Sequence, residues 1–244
     1  MGRNLIVGDI HSQYGLLMDV LSAASFNPEE DVLYSVGDIT DRGPEIVRLI
    51  QFLSSLHDYR PVLGNHDLWL RDYLVSGLCP SIWIDCNGGQ RTVKDFMRSF
   101  VSDKEKVLMG EWLSQAPYVR IEDKYIIMHG GIPNLWTIRE LEKIASLPPS
   151  TIGYAGIEDP SVSPVWNRSY LQSAMAFENG ADPAVLQAPL ETDRKIFVGH
   201  TPLNSPFHSE RYHLIAIDTG AGHNKRLTLM DMDTLKYWQA GKND

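Results

Sequence analysis

Short, largely apolar runs alternate with amphipathic stretches in the first third of the chain. The runs at residues 5–7, 32–36 and 60–63 each end at a glycine that is followed by a polar residue. After the first two runs, apolar residues recur at helical spacing over residues 16–21 and 46–53, and another helix is predicted after the third. Three strand–loop–helix units in succession predict a parallel sheet at the core.

The pattern changes in the second half. Residues 92–115 have helical spacing, and short β-like runs follow with little helix between the last three. These runs lie at residues 118–121, 125–128, 195–198, 214–217 and 227–230, and they predict a second, mainly antiparallel or mixed sheet. The stretch 146–189 is richer in Pro, Ser and Gly, which predicts loop with one helix after Arg168. We expect an α/β fold with one domain over residues 1–244.

Composition narrows the classes of partner. The chain is 43% hydrophobic, which is enough for a buried core, and its formal charge of −9 argues against a broad nucleic-acid interface. No apolar stretch reaches the roughly 18 residues of a membrane span, and no signal peptide is recognised, so we expect a cytoplasmic protein without a membrane partner. Cys79 and Cys86 do not form a Cys-x-x-Cys pair, which indicates neither a zinc ribbon nor a disulfide framework. Oligomeric state is not indicated.

Candidate metal ligands follow the first two strands. Asp9 and His11 are two residues apart, so a strand-like period would put both side chains on one side, where they could share an ion. The second strand ends in Gly37-Asp38, and Asp41-Arg42 follows in the turn. Alone, each segment is also explained by helix capping and a surface ion pair.

Three further strand ends carry similar chemistry. Asn65 and His66 follow the third strand, and His129 and His200 each follow a later β-like run and adjoin a glycine. Asn and His are common in ordinary turns, but five such ends in one chain make coincidence improbable. The candidate ligands outnumber one tetrahedral set, which predicts two ions bridged by a carboxylate, for which we choose Asp38. Carboxylate, imidazole and amide ligands favour manganese, with iron or zinc as alternatives.

These motifs resemble those of the calcineurin-like metallophosphoesterases. They occur in the expected order from residue 8 to residue 201, and Asp218-Thr219-Gly220 resembles a further element of the phosphoprotein phosphatase branch. Gly-His-Thr-Pro at residues 199–202 departs from the commoner Gly-His-x-His, which favours that branch. The resemblance implies a sandwich of two mixed β-sheets flanked by helices.

The resemblance also implies roles for the site residues. One ion would be held by Asp9, His11 and Asp38, and the other by Asp38, Asn65, His129 and His200. A metal-bridging water would attack phosphorus, and Arg42 and Arg168 would bind the phosphoryl oxygens. His66 would protonate the leaving oxygen, with Asp41 orienting its imidazole.

The implied activity is a metal-dependent phosphoric ester hydrolase, and its substrate stays open. Trp83 and the segment 166–168 resemble bacterial and phage serine/threonine protein phosphatases, so we favour a phosphorylated protein or peptide as substrate. Asp67 instead resembles the symmetrical bis(5'-nucleosyl)-tetraphosphate hydrolases, which release ADP. An inactive metal- or phosphopeptide-binding module is a third hypothesis, and a nucleic-acid phosphodiesterase a remote fourth.

Other candidate residues are assigned structural roles. We expect histidines outside the motifs to be structural or exposed, and three tryptophans to serve in packing. They are His57, His208, His213 and His223, and Trp69, Trp112 and Trp136.

Overall fold

The computed structural model describes residues 2–147 and 163–242, whose strands form two five-stranded sheets. In chain order the strands are β1 Asn4–Val7, β2 Val32–Ser35, β3 Tyr59–Pro61, β4 Val119–Ile121, β5 Tyr125–Met128, β6 Lys195–Val198, β7 Phe207–Ser209, β8 Leu214–Ala216, β9 Arg226–Asp231 and β10 Tyr237–Gly241.

Both sheets are mixed. The first has the order β10-β9-β1-β2-β3, with β1, β2 and β3 parallel and β9 antiparallel to both β1 and β10. The second has the order β4-β5-β6-β8-β7, with a parallel centre of β5, β6 and β8 and an antiparallel strand at each edge. The predicted α/β class with two mixed sheets is confirmed.

Apolar side chains alternate between the two faces of the strands. On β1, Ile6 points into an apolar layer shared by the two sheets, whereas Leu5 packs against the helices outside. On β5, Ile127 lies in the shared layer and Ile126 lies outside. Each such buried side chain contributes roughly 1.5–3 kcal/mol. Because both faces are covered, the central strands appear as continuous apolar runs in the sequence.

Helices flank the sandwich. They are α1 Tyr14–Ala23, α2 Ile46–Ser55, α3 Asn65–Ser76, α4 Gly89–Arg98, α5 Asp103–Leu113, α6 Ile138–Ala145 and α7 Ser169–Glu178, with a π-helical turn at Ile82–Cys86 and 3₁₀ turns at Pro183–Val185 and Ala221–His223. Among residues 2–147 and 163–242, no helix is both long and apolar enough to cross a membrane.

Several boundaries differ from the sequence-based prediction. The run 227–230 was grouped with the second sheet, but β9 belongs to the first, where Leu229 pairs with Val7. Strands β7 and β10 were missed. The helical stretch predicted over residues 92–115 is divided between two helices, where Phe100 adopts a left-handed φ of 52° and Ser102 caps α5.

Two further boundaries affect the site. Helix α3 begins at Asn65, so the polar residues after β3 occupy its first turn rather than a loop before it. Helix α7 begins directly after Arg168, as predicted. Most of the loop predicted over residues 146–189 can be compared with the structure. Residues 148–162 of it lie outside the described residues.

An ion pair ties together the starts of β1 and β2. Arg3 Nη2 lies 2.6 Å from Asp31 Oδ2, and the Arg3 N–H donates to Asp31 Oδ1 at 2.8 Å. Arg3 also donates to the Ala24 carbonyl beyond α1. Burial opposes ionisation of Asp31, but the Arg3 bonds and the Asn27 N–H lower its pKa to about 2.

Replacing Asp31 should destabilise the fold in a pH-dependent way. Because the pKa of Asp31 is lower in the folded chain, its stabilisation is complete above the unfolded value near 4 and is lost as the pH falls towards 2. We expect Asp31→Asn to lower the free energy of unfolding by roughly 1 kcal/mol at pH 7, discounted for the partly exposed Arg3. Urea unfolding from pH 7 to pH 3 measures this. Asp19→Asn, an exposed site on α1, is the control, and a deficit independent of pH would contradict the role.

Candidate metal centre

The predicted site residues meet at one edge of the sandwich, beyond the ends of the central strands. All of them except Asp41 and His129 line one cavity there, and those two are completely buried against lining residues. The cavity is lined by Asp9, His11, Asp38, Arg42, Asn65, His66, Asn87, Trp166, Arg168, His200, Pro202 and His223.

The backbone is strained at several of these positions. Left-handed φ values occur at His11 (48°), Asp38 (52°), Asp41 (71°), Arg42 (63°) and His200 (66°). Such a conformation costs a non-glycine residue about 1 kcal/mol or more and persists only where surrounding structure fixes it. The period-2 argument for Asp9 and His11 therefore does not apply, because β1 ends at Val7 and His11 is turned by its own backbone.

Lone pairs converge beside Asp38. His129 Nδ1 lies 2.8 Å from the Val36 carbonyl, which fixes its proton there and leaves the lone pair of the neutral ring on Nε2. That atom lies 3.1 Å from Asn65 Oδ1 and 3.3 Å from Asp38 Oδ2. His200 Nε2 is buried and has no hydrogen-bond partner among the described residues. These acceptors fit a divalent cation, and the ligand atoms of Asp38, His129 and His200 lie within 4.8 Å of one another.

A second group able to hold a cation contains His11, Asp38 and His66. His11 Nδ1 faces the Thr40 carbonyl at 2.8 Å, which leaves its Nε2 lone pair towards the cavity. Arg42 donates to that Nε2 at 2.9 Å and to His66 Nε2 at 3.1 Å. A cation bound by His11 and this Arg42 bond exclude each other, because both use one lone pair.

Asp9 lies in the cavity wall, outside both groups. Its carboxylate accepts the N–H of His200 at 3.1 and 3.2 Å. A Cβ at Gly199 would lie 2.1 Å from Asp9 Oδ1, so only glycine allows the carboxylate this close to the backbone. The strand ends of the two sheets are thereby joined at the site.

Ionisation at the centre is governed by burial and neighbouring charge. Burial and Asp218 raise the pKa of Asp9 well above its usual range, and burial raises that of Asp218 to about 6. Burial opposes ionisation of Asp38, but His129 and His66 lower its pKa. Burial likewise opposes protonation of His129, yet Asp38 raises its pKa to about 10. The lowered pKa of Asp38 and the raised pKa of His129 indicate that this buried carboxylate requires positive charge nearby.

His66 and Asp41 form a buried pair at the cavity wall. His66 Nδ1 donates to Asp41 Oδ2 at 2.6 Å, and its Nε2 faces Arg42. Arg168 is exposed at the cavity, and no hydrogen bond or ion pair links its guanidinium to another described residue. Burial lowers the pKa of Arg168, whereas Asp38 and Asp218 raise it.

A family model named Calcineurin-like phosphoesterase matches residues 2–223, which is most of the chain. The chain belongs to the calcineurin-like phosphoesterase family. This membership confirms the predicted family, and the two mixed sheets are those of its fold.

Two of the similar curated proteins carry the same name. The chain is 32% identical over 137 residues to a symmetrical bis(5'-nucleosyl)-tetraphosphatase of Coxiella burnetii (strain RSA 493), covering 55% of this chain and 44% of that protein. It is 29% identical over 180 residues to a protein of the same name from Shewanella baltica, covering 72% and 60%. The chain thus spans about half the length of the curated relatives it matches.

Solved structures support the fold. A putative diadenosine tetraphosphatase superposes with a TM-score of 0.63 at 21% identity, covering 100% of this chain and 95% of that one. A protein serine/threonine phosphatase from Saccharomyces cerevisiae gives 0.59 at 14% identity, covering 100% and 80%. At these sequence identities, the similarity of the two structures to this calcineurin-like phosphoesterase shows a shared fold and nothing more.

The sequence prediction missed some residues around the site. His223 is exposed, which was one of the two alternatives expected, but it also lines the cavity, and its Nε2 lies 3.3 Å from Arg42 Nη1. Its place close behind the Asp218 motif was the available signal. Trp69 packs as predicted, but it packs edge-on to His66, with ring centroids 5.1 Å apart.

Asp67 was noted only as a cue to substrate, yet it anchors two loops. Its carboxylate accepts the N–H groups of Asp38 at 2.7 Å and of Ile39 and Gly64 at 2.9 Å. It therefore fixes the backbone that carries Asp38, although burial and the Asp38 charge raise its own pKa.

Removing one imidazole should weaken metal binding selectively. We expect His200→Ala to lose one bound divalent ion, with affinity at that site falling on the order of 100-fold or more, because a direct ligand matters more than an outer-shell partner. Equilibrium dialysis against manganese with elemental analysis measures this. The exposed His208→Ala is the control, and unchanged stoichiometry and affinity in His200→Ala would contradict a ligand role.

Proposed function

We propose that this phosphoesterase hydrolyses symmetrical bis(5'-nucleosyl) tetraphosphates to two nucleoside diphosphates. The proposed chemistry rests on the convergence of metal-binding groups, two arginines and a histidine–carboxylate pair on one cavity. The choice of substrate rests on the shared name of the curated relatives. Trp166 lines the same cavity and offers an aromatic surface to a nucleobase.

Two divalent ions, most simply manganese, are the proposed cofactors, with iron or zinc as alternatives. Asp9, His11 and Asp38 would hold one, and Asp38, Asn65, His129 and His200 the other, with Asp38 shared. When bound, such ions supply Lewis-acid polarisation and make water more acidic. The lone pairs on His129 and the buried, unpartnered His200 Nε2 support the second set.

The remaining residues would bind phosphate and move a proton. Arg42 and Arg168, which both line the cavity, would neutralise the phosphoryl oxygens. His66 Nε2 faces the cavity and would deliver a proton to the leaving oxygen, while Asp41 holds the Nδ1 proton and stabilises the imidazolium. For Arg42 to bind phosphate, its bonds to His11 and His66 must be exchanged for bonds to substrate.

A serine/threonine protein phosphatase is the second candidate. The two arginines on one cavity favour it, because a terminal phosphomonoester carries two negative charges that such a pair can neutralise. For either substrate we propose that residues 1–244 act as one catalytic domain. The contribution of β9 and β10 to the sheet that contains β1 supports this.

Product analysis separates the two candidates. With manganese present, we expect diadenosine tetraphosphate to give ADP as the nucleotide product, and chelation of the metal to abolish turnover. Chromatography of the products, beside phosphate release from a phosphoserine peptide panel, measures both activities. Release of ATP with AMP would contradict symmetrical cleavage, and turnover of phosphopeptides alone would favour the second candidate.

Truncating Arg168 should weaken phosphate binding. We expect Arg168→Ala to raise the KM, or lower kcat/KM, roughly 10- to 100-fold, because it removes a charge-assisted contact to the phosphoryl group. Inhibition by inorganic phosphate should weaken in parallel. Arg211→Ala, at a cation outside the cavity that contacts Phe177, is the control. Unchanged kinetics in Arg168→Ala would contradict a role for this arginine in phosphate binding.

A further inference from the structure

Three donors surround the buried carboxylate of Asp41. Oδ2 accepts His66 Nδ1–H at 2.6 Å and the indole Nε1–H of Trp83 at 2.7 Å, and Oδ1 accepts the Thr92 hydroxyl at 2.6 Å. Asp41, Trp83 and Thr92 are each 0% exposed. Both oxygens of this carboxylate therefore accept hydrogen bonds from residues far from Asp41 in sequence.

One short segment supplies the two donors other than His66. Trp83 lies in the π-helical turn Ile82–Cys86, and Thr92 lies in α4, which follows almost directly. A Cβ at Gly89 would come within 2.5 Å of the Trp83 ring, so the indole packs on bare backbone and its position is tightly defined. The segment thus acts as a rigid clamp on Asp41.

Asp41 needs such a clamp. A buried carboxylate is stable only with its oxygens hydrogen-bonded, and Asp41 also has a left-handed backbone. Without Trp83 and Thr92, the side chain could rotate and its bond to His66 would lose its direction. The His66 ring also makes edge contacts with His11 and Trp69, and its Nε2 faces Arg42 and Asp38, but none of these contacts is a hydrogen bond to Nδ1.

We propose that Trp83 and Thr92 are positioning residues that fix Asp41 and, through it, the orientation of His66. The inference rests on the proposed role of His66 as proton donor. Neither residue touches the reacting phosphate. Their removal should therefore reduce kcat most for substrates whose leaving oxygen needs a proton, and leave KM and metal content nearly unchanged.

The first experiment compares Trp83→Phe with Trp112→Phe. Both remove an indole that packs in the same apolar cluster, but Trp112 stacks on Tyr59 and does not contact Asp41. We expect kcat to fall roughly 10- to 100-fold in Trp83→Phe for an alkyl phosphate such as a phosphoserine peptide, and less for an activated aryl phosphate. Trp112→Phe should match wild type. Equal losses for both leaving groups would overturn the proposal.

Thr92 provides an independent pair should Trp83→Phe fail to fold. Thr92→Val keeps the shape and removes the hydroxyl, whereas Thr92→Ser keeps the hydroxyl and removes a methyl group. We expect the valine variant to lose kcat and the serine variant to retain it. Equal kcat in the two variants would mean that the hydroxyl does not act on Asp41.

The third arm tests whether the effect passes through His66. In a His66→Asn background, Trp83→Phe should cause no further loss, because the proton donor it orients is already absent. A full additional loss would assign Trp83 a different role.

Failure of the proposed substrate is distinguishable from failure of this inference. If wild type turns over phosphomonoesters but not the dinucleotide, only the substrate proposal fails, and the variants are compared on the active substrate. Proton exchange of the Trp83 indole, followed by NMR in metal-free protein, gives a readout without activity. We expect slow exchange that accelerates in Asp41→Ala, and fast exchange in wild type would overturn the clamp.

Discussion

Several carboxylates lie buried side by side at the edge of the sandwich, and the structure around them supplies compensating positive charge. Asp9, Asp38 and Asp67 are each no more than 3% exposed. Backbone N–H groups provide part of the compensation, three of them to Asp67 alone. The remainder comes from a protonated His129, from bound cations or from protonation of carboxylates whose pKa is raised, as at Asp9 and Asp67, since an isolated buried carboxylate is strongly unfavourable. Metal binding and stability of this edge are therefore coupled.

The same constraint explains the strained backbone at the strand ends. Side chains that must converge on one point cannot all follow regular strand or helix directions, so residues such as His11, Asp38 and His200 adopt left-handed conformations. The central strands behind them are buried on both faces and tolerate this cost. The well-packed core supplies the stability, and the strained backbone is confined to the residues of the site, as is usual in proteins.

Features encoded by local pattern could be predicted from the sequence, whereas features set by tertiary contact could not. Asp38 and His129 each lie just after an apolar run and adjoin a glycine, so their meeting at one sheet edge could be predicted. The run at 227–230 has the same local character as its neighbours, and nothing in it indicates that β9 pairs with β1 across the whole chain length. Trp83 resembles any core tryptophan until Asp41 is seen beside its indole nitrogen.

The two candidate substrates differ chiefly in the group that leaves. A serine oxygen is strongly basic and requires a proton, so in the proposed mechanism its departure would depend directly on the orientation of His66. A nucleoside diphosphate leaves as an anion and needs neighbouring positive charge as much as a proton. Arg42 contacts the same His66 nitrogen that would carry the proton, so cation and acid are adjacent at this point. In the proposed mechanism the metal-binding groups would serve both reactions, and the balance between proton and cation beside the leaving oxygen would determine which substrate is turned over faster.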